Sequence, residues 1–177
     1  MLMGPRGTGK TSIAERIPSI LPNLTIEQSL EVSALHSVAG VLEEGAGLLR
    51  RPTWFAPHHS ASAASVLGGG TGRVRPGQVS LAHHGVLFLD EFVHARADVI
   101  EALREPLESG EVTIARGEES ARYPARCLMV LAANPCPCGN YYATGRAQQR
   151  CECPEMARRH YLRKLSGPIL DRVDIWV

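Results

Sequence analysis

A glycine-rich stretch near the start of the chain has the residue types that bind phosphate. Residues 4–11 read GPRGTGKT, a complete G-x-x-x-x-G-K-T motif. Glycines allow the backbone to turn its N–H groups inward around phosphate oxygens, and a following helix points its N-terminus at the anion. Lys10 can reach the β- and γ-phosphates of a nucleotide, and the Thr11 hydroxyl can ligate Mg²⁺. The motif therefore predicts that the chain binds ATP together with Mg²⁺.

Two carboxylates follow the apolar run at residues 86–89 and are the expected partners of this motif. Asp90 can hold the Mg²⁺ shell, and Glu91 can polarise the attacking water as a general base. A strand that simply ends in solvated acids is the alternative, and the upstream phosphate motif argues against it. The predicted nucleotide-binding residues are Gly4, Pro5, Arg6, Gly7, Thr8, Gly9, Lys10, Thr11 and Asp90, with Thr11 and Asp90 as the Mg²⁺ ligands.

A third polar residue, Asn134, ends another apolar run. In an open α/β sheet the ligand lies at the carboxyl ends of the strands, so Asn134 is well placed to orient the water or contact the γ-phosphate. An asparagine that only caps an element or forms a turn is the alternative. The sequence itself thus indicates Lys10, Glu91 and Asn134 as candidate catalytic residues.

Four cysteines form two C-x-C pairs, Cys136-Pro-Cys138 and Cys151-Glu-Cys153, in the loop at residues 136–153. Four thiolates from two short knuckles can close a tetrahedral zinc site, although C-x-C is tighter than the usual C-x₂-C. Unliganded thiols and disulfides are the alternatives, and disulfides are rare in a cytosolic protein. The pattern favours a structural Zn²⁺ held by these four residues.

Two pairs of adjacent histidines, at residues 58–59 and 83–84, look like metal-binding pairs. Neighbours on an extended chain point to opposite faces, and this geometry argues against a shared metal ion. We expect these histidines to pack or to form hydrogen bonds near the nucleotide or near substrate-contacting loops.

The elements that must position these residues follow from apolar periodicity and from turn residues. Helices are predicted at 11–20, 25–36, 60–67, 96–109 and 154–165, and strands at 52–57, 86–89, 127–133 and 174–177. Residues 111–115 and 121–125 flank a polar stretch and predict a β-hairpin. Thr25 and Gln28 have the spacing of a capping box, and Pro106 is expected to kink or shorten its helix. Strands that alternate with helices predict an α/β fold with a mostly parallel sheet.

The length of 177 residues suits one domain with a full hydrophobic core. A formal net charge of +1 excludes a global basic field, so any contact with a polyanion must be local. Neither a membrane-spanning run nor a secretory signal is visible, and we expect a cytoplasmic protein. Because only residues 1–3 precede the phosphate motif, we expect a core taken from a longer protein; a naturally short first strand is the alternative.

With these sites identified, the chain resembles the magnesium-chelatase-type branch of the AAA+ ATPases over essentially its whole length. The stretches that carry the resemblance are GPRGTGKT (4–11), FAPHHSASAASVLGGG (55–70), SLAHHGVLFLDE (80–91), EALREPLESGEVTI (101–114), LAANPCPCG (131–139) and LSGPILDRVD (165–174). APHHS and NPCPCG are similar to the ComM/YifB-like group rather than to the chelatase I subunit. The resemblance implies a P-loop AAA+ core that assembles into a ring, usually a hexamer. It also implies that Asn134 is the sensor-one residue and that Arg172 is an arginine finger acting on ATP held by the neighbouring subunit.

The same resemblance implies two substrate-contacting elements, around residues 60–80 and 111–125, with DNA as the substrate. Arg73, Arg75, Arg116 and Arg122 have the charge to meet phosphates, or they form an ordinary solvated face. Glu118 and Glu119 at the hairpin tip argue against direct DNA contact there.

The alternatives are the ATPase I subunit of a magnesium chelatase and a non-catalytic nucleotide-dependent scaffold. The resemblance also implies a domain before the phosphate motif and a helical lid after Val177, and we expect these two parts to be missing from this chain. Without a lid, the chain alone is expected to bind nucleotide weakly and to turn over little.

Overall fold

The computed structural model describes residues 1–69, 74–116, 119–141, 150–164 and 169–177. Its strands are β1 (Leu2–Met3), β2 (Trp54–Phe55), β3 (Gly68–Gly69), β4 (Arg75–Pro76), β5 (Val86–Leu89), β6 (Glu111–Arg116), β7 (Glu119–Pro124) and β8 (Leu128–Ala133). Its helices are α1 (Lys10–Ala14), α2 (Ile17–Ile20), α3 (Ile26–Ala39), α4 (Ala63–Leu67), α5 (Gln78–Leu81), α6 (Ala97–Ala102), α7 (Arg104–Ser109) and α8 (Glu155–Arg163), with short 3₁₀ helices at Phe92–His94 and Leu170–Arg172.

Four parallel strands form the central sheet in the order β1, β8, β5, β2. Val86 lies opposite Leu128 in the β5–β8 pair, and Met3 lies opposite Ala133 in the β1–β8 pair. The carboxyl ends of β1, β8 and β5 therefore meet at one edge of the sheet. This arrangement confirms the predicted α/β class, in which a mostly parallel sheet is flanked by helices.

Strand β5 is buried on both faces, as expected for its unbroken apolar sequence. Because successive side chains alternate, Val86 and Phe88 pack on one face and Leu87 and Leu89 on the other. The first pair joins a small cluster with α1, and the second pair joins the larger cluster beneath α4, α6 and β6. This double burial fixes the strand whose end carries the two candidate carboxylates.

Two predicted helices are interrupted by prolines inside them. The helix expected at 11–20 is divided into α1 and α2 because Pro18 has no N–H to donate to Ala14. The helix expected at 96–109 is divided at Leu103 for the same reason, since Pro106 cannot donate to Ala102. Pro106 was expected to kink or shorten its helix, whereas the effect of Pro18 was missed.

The chain ends differ from the expected regular strands. Residues 174–177 are not assigned as a strand, yet the Val177 N–H donates to the Met1 carbonyl at 2.9 Å. The Met3 N–H in turn donates to the Val177 carbonyl at 2.7 Å. The last residues thus lie beside β1 and extend the sheet by a short irregular pairing. Among the helices of the described residues, none combines the length and apolar character needed to cross a bilayer.

Helix α3 begins as predicted, with a capping box. The Thr25 hydroxyl accepts from the Gln28 N–H at 3.3 Å, and the Gln28 side chain accepts from the Thr25 N–H at 3.0 Å. Both hydrogen bonds satisfy donors that the first turn of a helix otherwise leaves without partners. The helix continues beyond the expected end at residue 36 and stops at Gly40, which adopts a left-handed conformation.

The predicted hairpin is formed by β6 and β7, which are antiparallel with Glu111 opposite Pro124. A smaller antiparallel pair, β3 and β4, lies within the other expected substrate-contacting element. The Tyr123 hydroxyl donates to the Val74 carbonyl at 2.9 Å and joins the two hairpins. Residues 70–73 and 117–118 are outside the described part of the chain, as are the side chains of Arg116 and Glu119.

Candidate nucleotide-binding site

The phosphate motif forms the connection between β1 and α1. The Gly4 N–H donates to the Ala133 carbonyl at 3.3 Å, which holds the start of the loop against the end of β8. Gly7 and Gly9 have φ angles of 77° and 82°, a left-handed conformation that other residues adopt only at a cost. A Cβ atom at either glycine would meet nothing within 4 Å, so the backbone conformation and not space requires glycine here.

Lys10 follows the last glycine of this loop, and its ammonium group donates three hydrogen bonds to oxygen atoms. Its Nζ donates to the carbonyls of Gly4 and Pro5 at 2.7 and 2.9 Å and to Asn134 Oδ1 at 3.1 Å. Partial burial lowers the pKa of Lys10, and the charge of Asp90 opposes this shift. The ammonium group therefore sits among acceptors, and phosphate oxygens offer the same acceptor chemistry with added negative charge.

Thr11 and Asp90 come together although they are far apart in sequence. The Thr11 hydroxyl donates to Asp90 Oδ2 at 2.9 Å, and the other carboxylate oxygen accepts from the Glu91 N–H at 2.8 Å. A hydroxyl next to a carboxylate supplies the hard oxygen ligands that Mg²⁺ prefers, and Mg²⁺ usually takes few protein ligands besides water and phosphate. The residues present thus fit the predicted Mg²⁺ site.

Glu91 is held in an unusual backbone conformation. It has a φ of 47°, in the left-handed region, where a non-glycine residue carries some strain. Its Oε2 lies 3.6 Å from His59 Nδ1, and the rings of His58 and His59 are 4.0 Å apart. His59 as a partner of Glu91 is a contact that sequence reasoning missed, because no local pattern links residues so far apart.

These residues surround a single cleft of about 720 Å³. Its lining includes Arg6, Gly7, Gly9, Lys10, Thr11, Ser12, Glu15, Trp54, Ala56, Pro57, His58, His59, Phe88, Asp90, Glu91 and Asn134. The Trp54 ring stacks on Phe88 with centroids 5.2 Å apart, and both residues line the cleft. The candidate phosphate, Mg²⁺ and water-activating residues therefore share one solvent-accessible space.

The four cysteines of the C-x-C pairs also come together. Their sulfur atoms all lie within 4.8 Å of one another, with Cys136 3.4 Å from Cys138 and 3.6 Å from Cys151. Four sulfurs bound to one Zn²⁺ at about 2.3 Å lie about 3.8 Å apart, so the cluster fits a tetrahedral ion. All four cysteines are free thiols here rather than disulfides. The Asn140 backbone N–H lowers the pKa of the Cys138 thiol to about 6.

Comparison with known proteins adds a second line of information. The whole chain, residues 1–177, matches the family model described as "Magnesium chelatase, subunit ChlI". The chain belongs to this family. The ChlI family is a branch of the AAA+ ATPases.

The chain is also similar to three proteins with known sequences and different names. It is 54% identical over 177 residues to an uncharacterized protein of Mycobacterium tuberculosis. That alignment covers 100% of this chain and 34% of the mycobacterial protein. It is 45% identical over 175 residues to the uncharacterized protein YifB of Escherichia coli, covering 99% of this chain and 33% of YifB. It is 42% identical over 175 residues to the competence protein ComM of Haemophilus influenzae, again covering 99% and 33%. The expected resemblance to the ComM/YifB-like group is thereby confirmed, and the chain spans about a third of the length of these relatives.

Arg172 does not line the cleft of this ChlI-family chain. It pairs with Glu108 of α7, and its side chain is partly exposed beside Val173 and Asp174. Thus the structure brings Lys10, Asn134, Asp90 and Glu91 together and leaves Arg172 elsewhere on the surface.

The expectation that adjacent histidines point apart is wrong for both pairs in the chain. The rings of His83 and His84 are only 3.9 Å apart, because His84 has a φ of 54° and is not extended. Both rings place Nε2 about 3 Å from Glu31 Oε2, at 3.1 Å for His83 and 3.0 Å for His84. His83 Nδ1 accepts from the Arg126 N–H at 3.0 Å, so the neutral ring carries its proton on Nε2 and donates to Glu31. Nε2 of His83 is therefore a hydrogen-bond donor rather than a free metal ligand.

Proposed function

We propose that the chain is the ATP-binding and ATP-hydrolysing core of an AAA+ motor. The observation that carries the proposal is the Thr11–Asp90 hydrogen bond of 2.9 Å in the same cleft as Lys10, Asn134 and Glu91. A hydroxyl, an ammonium group, an amide and two carboxylates at one sheet edge form the set of groups that phosphoryl transfer to water requires.

Each residue then has one role in the reaction. The backbone N–H groups of residues 7–11 and the Lys10 ammonium bind the β- and γ-phosphates, and Thr11 and Asp90 would hold Mg²⁺, which would neutralise charge on the phosphates. Glu91 orients a water and accepts its proton as the bond to phosphorus forms and the bond to the leaving oxygen breaks. Asn134, already 3.1 Å from Lys10 Nζ, contacts the γ-phosphate or the attacking water.

We further propose that Arg172 acts on ATP held by a neighbouring subunit of a ring, most simply a hexamer. Its position outside its own cleft supports this assignment, as does its guanidinium, which can stabilise the charge that develops during transfer. The test mixes Arg172→Ala subunits with Lys10→Ala subunits of the full-length parent. Recovery of ATPase activity in the mixture is expected, because some clefts then combine an intact Lys10 with an intact partner arginine. Mixtures as inactive as either variant alone would contradict action between subunits.

The substrate that we propose for the full-length parent is DNA, with a helicase or branch-migration role. The 42% identity to a competence protein over 99% of the chain supports this choice. The hairpins give it partial support: Arg75 is exposed, whereas Arg122 is 3.6 Å from Glu111, so part of its charge is balanced locally. The predicted phosphate contacts of Arg73 and Arg116 fall outside the described side chains.

The alternative is the ATPase I subunit of a magnesium chelatase, which the description of the family supports. The deciding experiment measures ATPase activity of the full-length parent alone, with single-stranded DNA and with branched DNA. A DNA motor should turn over faster with DNA, because its substrate contacts are coupled to hydrolysis. A rate unchanged by either DNA would favour the chelatase reading, and the absence of any ATPase activity would remove both.

We also propose that Cys136, Cys138, Cys151 and Cys153 hold a structural Zn²⁺, since the sulfur spacing fits a tetrahedral ion. Metal analysis should find close to one zinc per chain, and Cys138→Ser should lose it. Cys127→Ser is the matched control, because Cys127 lies outside the cluster. A metal-free protein with unchanged thermal stability would contradict the proposal. The cytoplasmic location expected from the sequence stays a prediction.

A further inference from the structure

The first C-x-C pair is directly connected to the phosphate-binding loop. The Arg6 N–H donates to the Gly139 carbonyl at 3.1 Å, and the Gly139 N–H donates to the Cys136 carbonyl at 3.0 Å. Gly139 has a φ of 79°, and a Cβ added to it would lie 2.6 Å from Arg6 Cγ and 2.8 Å from Arg6 Nε. The side chain of Arg6 therefore lies directly against the Cα of Gly139, and a larger residue at this position would have to displace Arg6 while keeping a left-handed φ.

The same stretch of chain touches the loop at two more points. The Ala133 carbonyl accepts from the Gly4 N–H at 3.3 Å, and Asn134 Oδ1 accepts from Lys10 Nζ at 3.1 Å. Residues 133–139 thus contact the beginning, the middle and the catalytic lysine of the motif. The turn that carries Cys136 and Cys138 is therefore hydrogen-bonded directly to the phosphate loop.

The second C-x-C pair is attached to this unit through α8, which begins just after Cys153. The Arg158 guanidinium donates to the Cys153 carbonyl at 3.2 Å and lies over the Tyr141 ring, 4.5 Å from its centroid. The Tyr141 N–H donates to Cys136 Sγ at 3.4 Å. Tyr161 of the same helix is buried, which raises the pKa of its hydroxyl. Two separate pieces of chain therefore converge on the four sulfurs, and one of them supports the phosphate loop.

We propose that metal bound by the four cysteines sets the conformation of the phosphate-binding loop, so that release of the metal lowers the affinity for nucleotide. This inference rests on the proposed function, because it assumes that residues 4–11 bind ATP. The physical reason is that the residue 136–139 turn presents the Gly139 carbonyl to Arg6 only while its two cysteines are tied to the second pair. Without the metal, four thiols within 4.8 Å have only weak contacts to hold them together.

The first arm of the test measures binding of a fluorescent ATP analogue with Mg²⁺ to the protein as isolated, after zinc removal by a chelator, and after zinc is restored. We expect the affinity to fall about tenfold on removal and to recover on restoration, a change of about 1.4 kcal/mol. Circular dichroism follows the fold in parallel. If the metal-free protein unfolds, the second arm decides.

The second arm uses Gly139→Ala, which leaves all four cysteines in place but drives a methyl group into Arg6. The matched control is Gly45→Ala, since Gly45 has a similar φ of 77° but nothing within 4 Å of an added Cβ. We expect Gly139→Ala to weaken nucleotide binding about tenfold relative to Gly45→Ala while thermal stability differs little between the two.

Failure of the proposed function and failure of the coupling give different results. Protein with full zinc that binds no ATP analogue would refute nucleotide binding itself. Protein that binds the analogue equally well with zinc, without zinc and as Gly139→Ala would overturn only the coupling. Preparations that never contain metal and yet bind nucleotide normally would overturn it as well.

Discussion

The two histidine pairs occupy opposite edges of the same sheet, and their partners differ. His58 and His59 line the cleft at the carboxyl edge, where His59 lies 3.6 Å from Glu91. His83 and His84 lie just before β5, at the amino edge, where His83 is 3% exposed and both its ring nitrogens have protein partners. Ring separations of 4.0 and 3.9 Å are nearly the same. Ring spacing alone therefore does not separate a pair that lines the cleft from a buried pair; the two pairs differ in solvent access and in whether protein partners use both ring nitrogens.

The largest expected difference between the two edges concerns their glutamates. Glu91→Gln in the full-length parent should lower kcat at least about 100-fold while ATP stays bound, because an amide cannot accept the proton of the attacking water. Glu31→Gln is the matched control at the amino edge, and kcat should be nearly unchanged. Steady-state ATPase rates and nucleotide retention measure both effects. Near-normal hydrolysis by Glu91→Gln would remove this residue from its assigned role.

A second contrast concerns stability. His83→Ala should lower the free energy of unfolding by about 1–3 kcal/mol, because a buried ring is removed and the part-buried hydrogen bond from the Arg126 N–H is lost. His59→Ala should change it by less than about 0.5 kcal/mol, since His59 is half-buried beside an open cleft. Denaturant unfolding followed by circular dichroism gives both values. Equal decreases in the free energy of unfolding of the two variants would contradict the idea that only the histidines at the amino edge contribute to stability.

The smallest expected effect is a pH dependence carried by the amino edge. Burial lowers the pKa of His83 below its ordinary value of 6.5; Glu31 opposes this shift, while His84 and Arg126 add to it. The unfolded chain then binds a proton more tightly than the folded protein. The contribution of neutral His83 to the free energy of unfolding is fully present above pH 6.5. It is lost as the pH falls from 6.5 through the lower pKa that His83 has in the folded state.

The free energy of unfolding should therefore decrease below pH 6.5, by at most about 1.4 kcal/mol per pH unit for this one group. Unfolding curves at several pH values check this, with His83→Ala as the comparison protein. If the variant retains the full slope between pH 6.5 and 5, the dependence originates in other groups.

Local patterns were enough to predict much of the molecule. The strand at Val86–Leu89 was predicted residue for residue, because an unbroken apolar run of this length suits a strand buried on both faces. The capping box at Thr25 was predicted from two residues three apart. The order of parallel strands then brought Thr11 and Asp90 together, as the rule for ligand sites in open α/β sheets implies.

The features that the sequence did not predict depend on single dihedral angles and on long-range contacts. A left-handed His84 turned two neighbouring rings to one side, and no pattern in the sequence announces that φ angle for a histidine. The contacts of Glu91 with His59 and of Arg6 with Gly139 join segments that are separated by many residues. Only the folded sheet brings such segments together, so propensity and periodicity do not contain this information.

The stacking of Trp54 on Phe88 in the lining of the cleft has a practical consequence. An indole ring is an intrinsic fluorophore whose emission depends on the polarity and charge around it. Because Trp54 borders the space proposed for a highly charged ligand, its emission should change when that ligand enters. Trp176 is half exposed near the end of the chain, so replacing it with phenylalanine would leave one optical reporter inside the cleft.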